Sequence, residues 1–350
     1  DRIIGEWLAN GRRPAAPSSS SQLTISELLV RYWSFAQQHY RKNGEPTQEL
    51  DNMKYAARAL KKRYGRTVAA DFGPLALKAI QQQLVDEGLS RNVVNHRVNR
   101  IKRMMRWAVS EEIVPATVVH ALSTVQGLQR GRTKAHETEP VMPVDDVTLE
   151  TTLAKMSRVL QGLVQFQRLT GGRPGEACIV RPRDIDRTGE VWIYRPESHK
   201  TEHHGRARQI AIGPRAQAVL RPFMLRHEDE YCFSPRDAAQ ECRDEATSNR
   251  KTPMSCGNRV GTNRKPKPTR QPGEHYTRAS LINAIYRACD RANVPRWSPN
   301  RLRHAAATEI RHKFGLEASQ VVLGHSAADV TQIYAERDMQ LAAKVAREVG

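Results

Sequence analysis

With 350 residues, the chain is long enough for two domains that each bury a core of their own. Lysine and arginine number 56 against 37 acidic residues, and the resulting formal charge of +19 predicts a polyanionic partner, most simply DNA or RNA. A membrane protein is disfavoured because no apolar run reaches the roughly 18 residues of a spanning helix and no signal-peptide pattern is found.

The first 126 residues predict a tail followed by a helical domain. Residues 1–21 become rich in proline and serine and cannot build a core, which is typical of a tail or linker. A helical domain is predicted over residues 22–126, where Thr24 and Glu27 form a capping-box pattern ahead of an apolar face. Further helices are predicted in ELDNMKYAARALKKRY and in GPLALKAIQQQLVDEG, the second closing at Gly88.

The segment SRNVVNHRVNRIKRMMRWAVSEE predicts the main basic helix of this domain. Its apolar face, at helical spacing, consists of Val94, Val98, Ile101, Met105 and Ala108. The remaining surface is cationic, with no acid between Ser90 and Ser110 to balance it, so an anionic partner would offset the repulsion. We therefore predict DNA contact rather than a merely solvated face. The predicted contacts are Arg97, Arg100, Lys102, Arg103 and Arg106.

Residues 127–145 lack periodicity and predict a linker, after which a second domain covers residues 146–350. It opens with helical VTLETTLAKMSRVLQGLVQFQRLTG. The runs EVWIYRP and RARQIAIG then predict a β-hairpin with Lys200 near its tip. Val191 and Ile193 alternate on one side of the first strand, and Ile210 and Ile212 do so on the return strand. Residues 234–279 predict a basic loop insertion, and 281–292 and 300–348 predict helices. The expected fold is mainly α with a small antiparallel β-sheet.

The cysteines and histidines do not predict a metal site. Cys178, Cys232, Cys242, Cys256 and Cys289 are scattered without a C-x-x-C pair, which favours reduced thiols in a cytoplasmic protein. A zinc site built from Cys232, Cys242 and Cys256 with a histidine would have unusual spacing. The cluster of His199, His203 and His204 is better interpreted as solvated, because strand and turn spacing gives it no clear tetrahedral arrangement.

Four separated segments carry candidate chemistry. In LTGGRPGEACIVRPRDID, Arg173 begins a new turn and Glu176 follows three residues later, as for a carboxylate that orients a guanidinium. Lys200 lies in the predicted hairpin, and SPNRLRHAAATEIR has Arg303 at the start of a helix. The fourth segment, LGHSAADVTQIY, contains His325 and Tyr334.

In order and spacing these segments resemble the catalytic domain of tyrosine recombinases, the phage-integrase family. The first is similar to the family's T-G-x-R-x-x-E box, the third to its H-x-L-R-H box and the fourth to its L-G-H…Y box. The resemblance covers roughly residues 145–340, and residues 22–126 are similar in size and position to the family's core-binding domain. It implies a site-specific recombinase of the bacterial cytoplasm that acts on duplex DNA as a homotetramer on paired sites.

The resemblance and the chemistry of phosphodiesters together assign expected roles. Arg173 and Arg303 would hold the non-bridging oxygens in bidentate fashion, and Lys200 would be the general acid for the leaving 5′ oxygen. His325 would donate a further hydrogen bond, and Tyr334 would attack phosphorus to give a 3′-phosphotyrosyl intermediate, a route that requires neither metal nor cofactor. His304, next to Arg303, is expected to be a packed helix residue.

The chain departs from the family pattern at Asn300, where the family usually has histidine. Asparagine can hydrogen-bond the phosphate or the tyrosine hydroxyl but cannot carry a proton, so water or His325 would take the tyrosine proton. Two alternatives stay open on the sequence: a type IB topoisomerase that relaxes DNA by the same chemistry, and a non-catalytic DNA-binding protein of the same fold.

Overall fold

A computed structural model describes residues 23–42, 44–198, 208–253 and 271–324. The chain separates into two compact units, one ending at Pro140 and the other beginning at Val141. In the first unit, the helices are α1 (Ile25–His39), α2 (Gln48–Tyr64), α3 (Pro74–Asp86), α4 (Arg91–Ser110) and α5 (Ala116–Ser123), with a 3₁₀ turn at Ala69–Asp71. The short strands β1 (Arg41–Lys42) and β2 (Glu45–Pro46) pair antiparallel between α1 and α2.

The start of α1 has the predicted capping box. The Thr24 hydroxyl accepts a hydrogen bond from the backbone N–H of Glu27, and the Glu27 carboxylate accepts one from the backbone N–H of Thr24, at 2.8 Å. Two N–H groups that a helix start leaves without partners are thereby satisfied. The α3 helix ends before Gly88, whose φ of 77° is a conformation that glycine adopts without strain.

The predicted apolar face of α4 is buried, as is Met104 beside it. Helix α4 packs against α2, α3 and α5, and so forms the centre of the first unit. The segment after α5 is bound to α4 in turn. The Asn95 side chain exchanges hydrogen bonds with the backbone of Leu128, at 2.7 and 3.0 Å, and Arg91 pairs with Glu137 at 2.6 Å. The first part of the segment predicted as a linker, residues 127–145, therefore lies against the first unit.

The second unit contains α6 (Asp146–Leu153), α7 (Arg158–Thr170), α8 (Pro174–Cys178), α9 (Pro214–Leu220), α10 (Pro235–Ser248), α11 (Arg278–Ala292) and α12 (Asn300–Leu323). Single 3₁₀ turns lie at Pro182–Asp184 and Arg221–Phe223. Its strands β3 (Ile185–Asp186), β4 (Trp192–Tyr194) and β5 (Ile210–Ile212) form an antiparallel sheet in that order. The predicted fold class, mainly α with a small antiparallel sheet, is confirmed.

The structure shows which face of the hairpin is buried. Ile210 and Ile212 are buried on β5, and their direct partners on β4 are Tyr194 and Trp192. Tyr194 is fully buried and its hydroxyl donates to the carbonyl of Glu176 at 2.8 Å, whereas Val191 is exposed. Opposed residues share a face in an antiparallel pair, so the aromatic residues, not Val191 and Ile193, cover the core.

The first part of the interval 234–279, which was predicted as a loop, is helical. Helix α10 occupies Pro235–Ser248, with Ser234 as a side-chain cap and Pro235 at the first helical position. Ala238 is the one buried residue of this helix, and its sequence contains no large apolar side chain that would have marked a buried face. Residues 254–270 of the predicted insertion lie outside the described residues.

Candidate active site

Arg173 and Glu176 are held together where α7 gives way to α8. Helix α7 ends on Gly171 in the left-handed region, at φ 64°, and α8 begins after Arg173 with Pro174 in its first position. The Glu176 carboxylate accepts the backbone N–H of Arg173 at 2.9 Å and its guanidinium Nη1 at 2.8 Å. Glu176 is buried, whereas 23% of the side-chain surface of Arg173 is exposed to solvent. The carboxylate thus fixes a guanidinium that solvent or a ligand can still reach.

Arg303 is buried and joins two chain segments through their backbones. Its Nη1 donates to the carbonyl of Gly171 and its Nη2 to the carbonyl of Leu323, both at 2.7 Å. Charge-assisted bonds of this length are about twice as strong as neutral ones. The guanidinium therefore connects the loop that leads into Arg173 with the last residue of α12.

A break at Gly315 makes this contact possible. In a straight helix with a rise of 1.5 Å per residue, residues 303 and 323 would be about 30 Å apart. Gly315 has φ 85° and ψ 179°, a conformation essentially confined to glycine, and α12 folds back on itself there. Ser319 contacts the carbonyl of Ala307 after the fold-back, at 3.4 Å. The prediction of helix over 300–348 is thus corrected: the helix is interrupted at Gly315 and ends at Leu323, and residues 325–348 lie outside the described residues.

Arg208 is a residue of this site that the sequence prediction missed. It precedes β5 and is buried, with Nε 3.7 Å from Glu176 Oε2 and Nη2 donating to the carbonyl of Val322 at 3.4 Å. One signal was available in the sequence. Arg208 lies two residues before Ile210 and four before Ile212, so in an extended strand its side chain is on the same, buried face as theirs. An unpaired charge on that face is costly.

The charges around Glu176 stabilise its ionised form. Burial raises the pKa of this carboxyl, but the backbone hydrogen bond from Arg173 and the charges of Arg208 and Arg173 outweigh burial, and the pKa is lowered. Burial lowers the pKa of Arg208, an effect that Glu176 opposes and the like charge of Arg173 reinforces. Two arginines around one carboxylate leave a net positive charge, which suits an anionic ligand.

Asn300 is the first residue of α12 and is half-buried, one turn before Arg303. The carbonyl of the preceding residue, Pro299, accepts a hydrogen bond from the side-chain amide of Gln167 on α7 at 2.9 Å. His304 is half-buried in the same helix, and burial together with the neighbouring charges of Arg303 and Arg301 lowers its pKa. His304 is thus partly packed within the helix.

Three predicted site residues, Lys200, His325 and Tyr334, lie outside the described residues. The described part of the chain ends at Gly324, which adopts φ 64° and directly precedes His325 in the sequence. The structure therefore brings Arg173, Glu176, Arg208 and Arg303 together. Asn300 begins the helix that carries Arg303.

The basic helix α4 of the first unit is less unbalanced than its sequence predicted. Glu49, from α2, pairs with Arg100 at 2.7 Å and with Arg103 at 3.0 Å. Lys102 donates to the carbonyl of Val125. The guanidinium of Arg97 lies over the ring of Tyr55, at 5.6 Å from its centroid, and Arg106 is exposed. The sequence argument counted acids only within this helix, and a carboxylate from α2 offsets part of its positive charge.

Among the residues described, no group of three or more histidine, cysteine or acidic side chains is arranged to hold a metal ion. Cys178, Cys232 and Cys289 are buried and Cys242 is exposed. Cys256 and the histidines at 199, 203 and 204 are outside the described ranges. No helix in the described part of the chain is long and apolar enough to cross a membrane.

Solved structures show which fold the chain shares. A lambda integrase dimer bound to a COC′ core site matches with a TM-score of 0.65 and 15% identity, covering 96% of this chain and 85% of that one. The Tn1549 transposon integrase in complex with a circular intermediate DNA matches with a TM-score of 0.60 and 16% identity, covering 93% and 99%. The fold is therefore that of integrases.

Sequence comparison identifies the family. The integrase of Staphylococcus phage L54a is 23% identical over 244 residues, covering 62% of this chain and 68% of the relative. The tyrosine recombinase XerC of Yersinia pestis is 24% identical over 260 residues, covering 74% and 73%. The model of the phage integrase family matches residues 145–340, more than half of the chain. The chain belongs to this family of tyrosine recombinases, as its sequence predicted.

Proposed function

We propose that the chain is a site-specific DNA recombinase, an integrase that cuts and rejoins duplex DNA through a covalent bond between Tyr334 and a 3′ phosphate. One observation carries the proposal. Arg303 donates to the carbonyl of Gly171, two residues before Arg173, and to that of Leu323, two residues before His325. A single buried guanidinium thus links three separated segments whose only shared feature in the sequence is their candidate chemistry.

In the proposed reaction, the Tyr334 hydroxyl oxygen attacks phosphorus and the bond from phosphorus to the 5′ oxygen breaks. Lys200 gives a proton to the departing 5′ oxygen, and water or His325 takes the tyrosine proton. Arg173 and Arg303 stabilise the charge on the non-bridging oxygens, assisted by His325. A 5′ hydroxyl of the partner strand then reverses the reaction on the phosphotyrosine. The guanidinium groups supply the charge stabilisation, so the proposal invokes no metal or cofactor.

The proposed partner is double-stranded DNA, bound by phosphate contacts from both units. The formal charge of +19 supports this proposal, as does the cationic surface of α4. Because Glu49 already pairs two arginines of α4, we propose that Arg97 and Arg106 contribute more to DNA binding than Arg100 and Arg103. A solved lambda integrase tetramer is bound to a Holliday junction, and we propose a homotetramer on paired sites for this chain.

Trapping of the covalent intermediate tests the proposal. The substrate is a library of duplexes with a randomised core and a nick a few nucleotides downstream of each possible cleavage position, so that the short 5′-hydroxyl fragment diffuses away after cleavage. Wild type should give an SDS-stable protein–DNA adduct, and sequencing of the attached ends gives the cleavage site. Tyr334→Phe should give none, while Tyr286→Phe, in α11, is the matched control and should cleave normally. An equal adduct yield from wild type and Tyr334→Phe would refute the proposal.

The asparagine at position 300 favours a second candidate, a non-catalytic DNA-binding protein of the same fold. This candidate predicts that wild type binds duplex DNA without forming any adduct. A topoisomerase, in contrast, would form the adduct but give relaxed rather than recombined products from a plasmid with two copies of the mapped site. The nicked duplexes and the two-site plasmid together therefore distinguish all three functions.

A further inference from the structure

Arg208 is a buried cation whose partners come from separate parts of the second unit. Its guanidinium lies between the Glu176 carboxylate, 3.7 Å from Nε, and the carbonyl of Val322, 3.4 Å from Nη2. In the described part of the chain, Nε is buried and makes no hydrogen bond. Burial of a charge is costly unless it is paired, so a guanidinium with this incomplete pairing needs a reason beyond packing.

Two arginines hold adjacent carbonyls at the end of α12. Arg208 binds the carbonyl of Val322 and Arg303 that of Leu323. The last carbonyls of a helix have no partner within the helix and carry its partial negative charge, so cations stabilise them. The next residue, Gly324, turns the chain at φ 64° with Arg208 directly against it, and a Cβ at this position would overlap Nη1 of Arg208. Arg208 therefore packs against the turn that ends α12 and leaves no room for a side chain at Gly324.

We propose that Arg208 is a positioning residue for DNA strand cleavage. It ties the start of β5, the Arg173–Glu176 pair and the turn at Gly324 into one arrangement, and it acts through them rather than by touching the phosphate. The inference rests on the proposed function. Arg208 directs Nε toward the Glu176 carboxylate and Nη2 toward the carbonyl of Val322, and 7% of its side chain is exposed, against 23% for Arg173.

The first test compares Arg208→Gln and Arg208→Lys with Arg215→Gln, an exposed arginine of α9, on the nicked substrate. The cleavage rate at saturating protein should fall about 10- to 100-fold in Arg208→Gln, the size of effect that a displaced catalytic group produces. Arg208→Lys keeps the positive charge but not the planar, multiple-donor geometry of the guanidinium, so its cleavage rate should lie between those of Arg208→Gln and wild type. DNA affinity should stay within about twofold in all variants, because Arg208 is expected to make no phosphate contact.

The second test separates positioning from direct contact. A methylphosphonate at the mapped scissile position is neutral, so a group that stabilises the phosphate charge becomes dispensable on it. The defect of Arg303→Gln should therefore shrink on this substrate, whereas that of Arg208→Gln should persist. The effects of Arg208→Gln and Glu176→Gln should also be less than additive, because the two residues share a contact, but part of the Arg208→Gln defect should remain because Arg208 also binds the carbonyl of Val322.

Each outcome decides the inference. If the methylphosphonate restores Arg208→Gln, the residue contacts the phosphate and the positioning role is wrong. If thermal unfolding shifts but the cleavage rate of folded Arg208→Gln and Arg208→Lys equals that of wild type, Arg208 only stabilises the fold. If wild type itself forms no adduct on either substrate, the proposed function fails, and the inference fails with it.

Discussion

Replacement of Arg303 by lysine should lower stability and cleavage by different mechanisms. The guanidinium satisfies the carbonyls of Gly171 and Leu323 at 2.7 Å each in a buried site. A lysine ammonium is a compact point charge and cannot reproduce the two diverging N–H groups of the guanidinium, so at least one of these carbonyls loses its hydrogen-bond donor. Hydrogen bonds to charged groups contribute about 1.5–3 kcal/mol, and we expect a loss of about 2 kcal/mol in unfolding free energy. For a unit of this size that is about 4–8 °C in Tm.

The effect on cleavage should be larger than this loss of stability explains. Removing one donor to a transition-state oxyanion costs about 10²- to 10³-fold in rate. A domain with 5 kcal/mol of stability that loses 2 kcal/mol remains ~99% folded at 25 °C, so unfolding contributes almost nothing to the rate. Binding of duplex DNA should change little, because many other phosphate contacts remain.

The assay combines single-turnover cleavage of the nicked substrate, filter binding and thermal unfolding of the same preparations. Arg301→Lys is the matched control, since Arg301 lies in the same helix and also donates to two carbonyls, those of Met142 and Pro143, at 2.7 and 2.8 Å. It should lose some stability and keep its cleavage rate within about threefold. The reasoning is refuted if Arg303→Lys unfolds within 1 °C of wild type, or if its cleavage and DNA binding fall by the same large factor.

Four further changes test other parts of the structure. Burial raises the pKa of Glu176, but the hydrogen bond from Arg173 and the charge of Arg208 keep it below the usual 4.5. Stability should therefore be lost as the pH falls below about 4.5 toward the lower pKa of the folded state. Acid unfolding followed by circular dichroism should show a shallower loss of stability in Glu176→Gln than in wild type. Glu49→Gln should free two arginines of α4, raise DNA affinity several-fold and steepen its salt dependence in filter binding, whereas Asp71→Asn, an exposed acid in the 3₁₀ turn before α3, should not. Asn300→His should add an ionisation near pH 6.5 to the pH–rate profile of cleavage, and an unchanged profile would show that position 300 does not exchange protons. Gly315→Ala should cost about 1–3 kcal/mol in thermal unfolding through backbone strain alone, because open space surrounds its Cβ position, and an unchanged Tm would contradict the fold-back.

Local signals were enough to predict most elements of the fold. The capping box at Thr24, the apolar face of α4 and the left-handed glycine after α3 each depend on residues within one or two turns, and each is present. Local signals left open what a distant partner decides. The buried face of β4 follows from the contact between Tyr194 and Glu176, and the balance of charge on α4 follows from Glu49, 51 residues before Arg100.

The candidate site was predictable as a set of residue types but not as a geometry. Arg173 and Glu176 are three residues apart, so their contact could be inferred from spacing. Arg208 could not be placed in the same way. Its partners lie 32 residues earlier and 114 residues later, and no local pattern joins them. The break at Gly315 was missed because one glycine inside a helical pattern usually costs only about 1 kcal/mol and does not end the helix.

The contacts of Arg303 explain why the T-G-G-R and L-G-H motifs contain glycine at positions 171 and 324. Its acceptors are main-chain carbonyls, one belonging to Gly171 and the other to the residue before Gly324, and both glycines have φ 64°. A Cβ on Gly171 would lie 3.0 Å from a methyl group of Leu323, and one on Gly324 would meet Arg208. Side chains at either position would strain the backbone and separate the segments that the arginine joins. The T-G-G-R and L-G-H motifs therefore supply the side chains expected to act on the phosphate. Their glycines also provide the backbone geometry that brings Arg173 and Arg303 together.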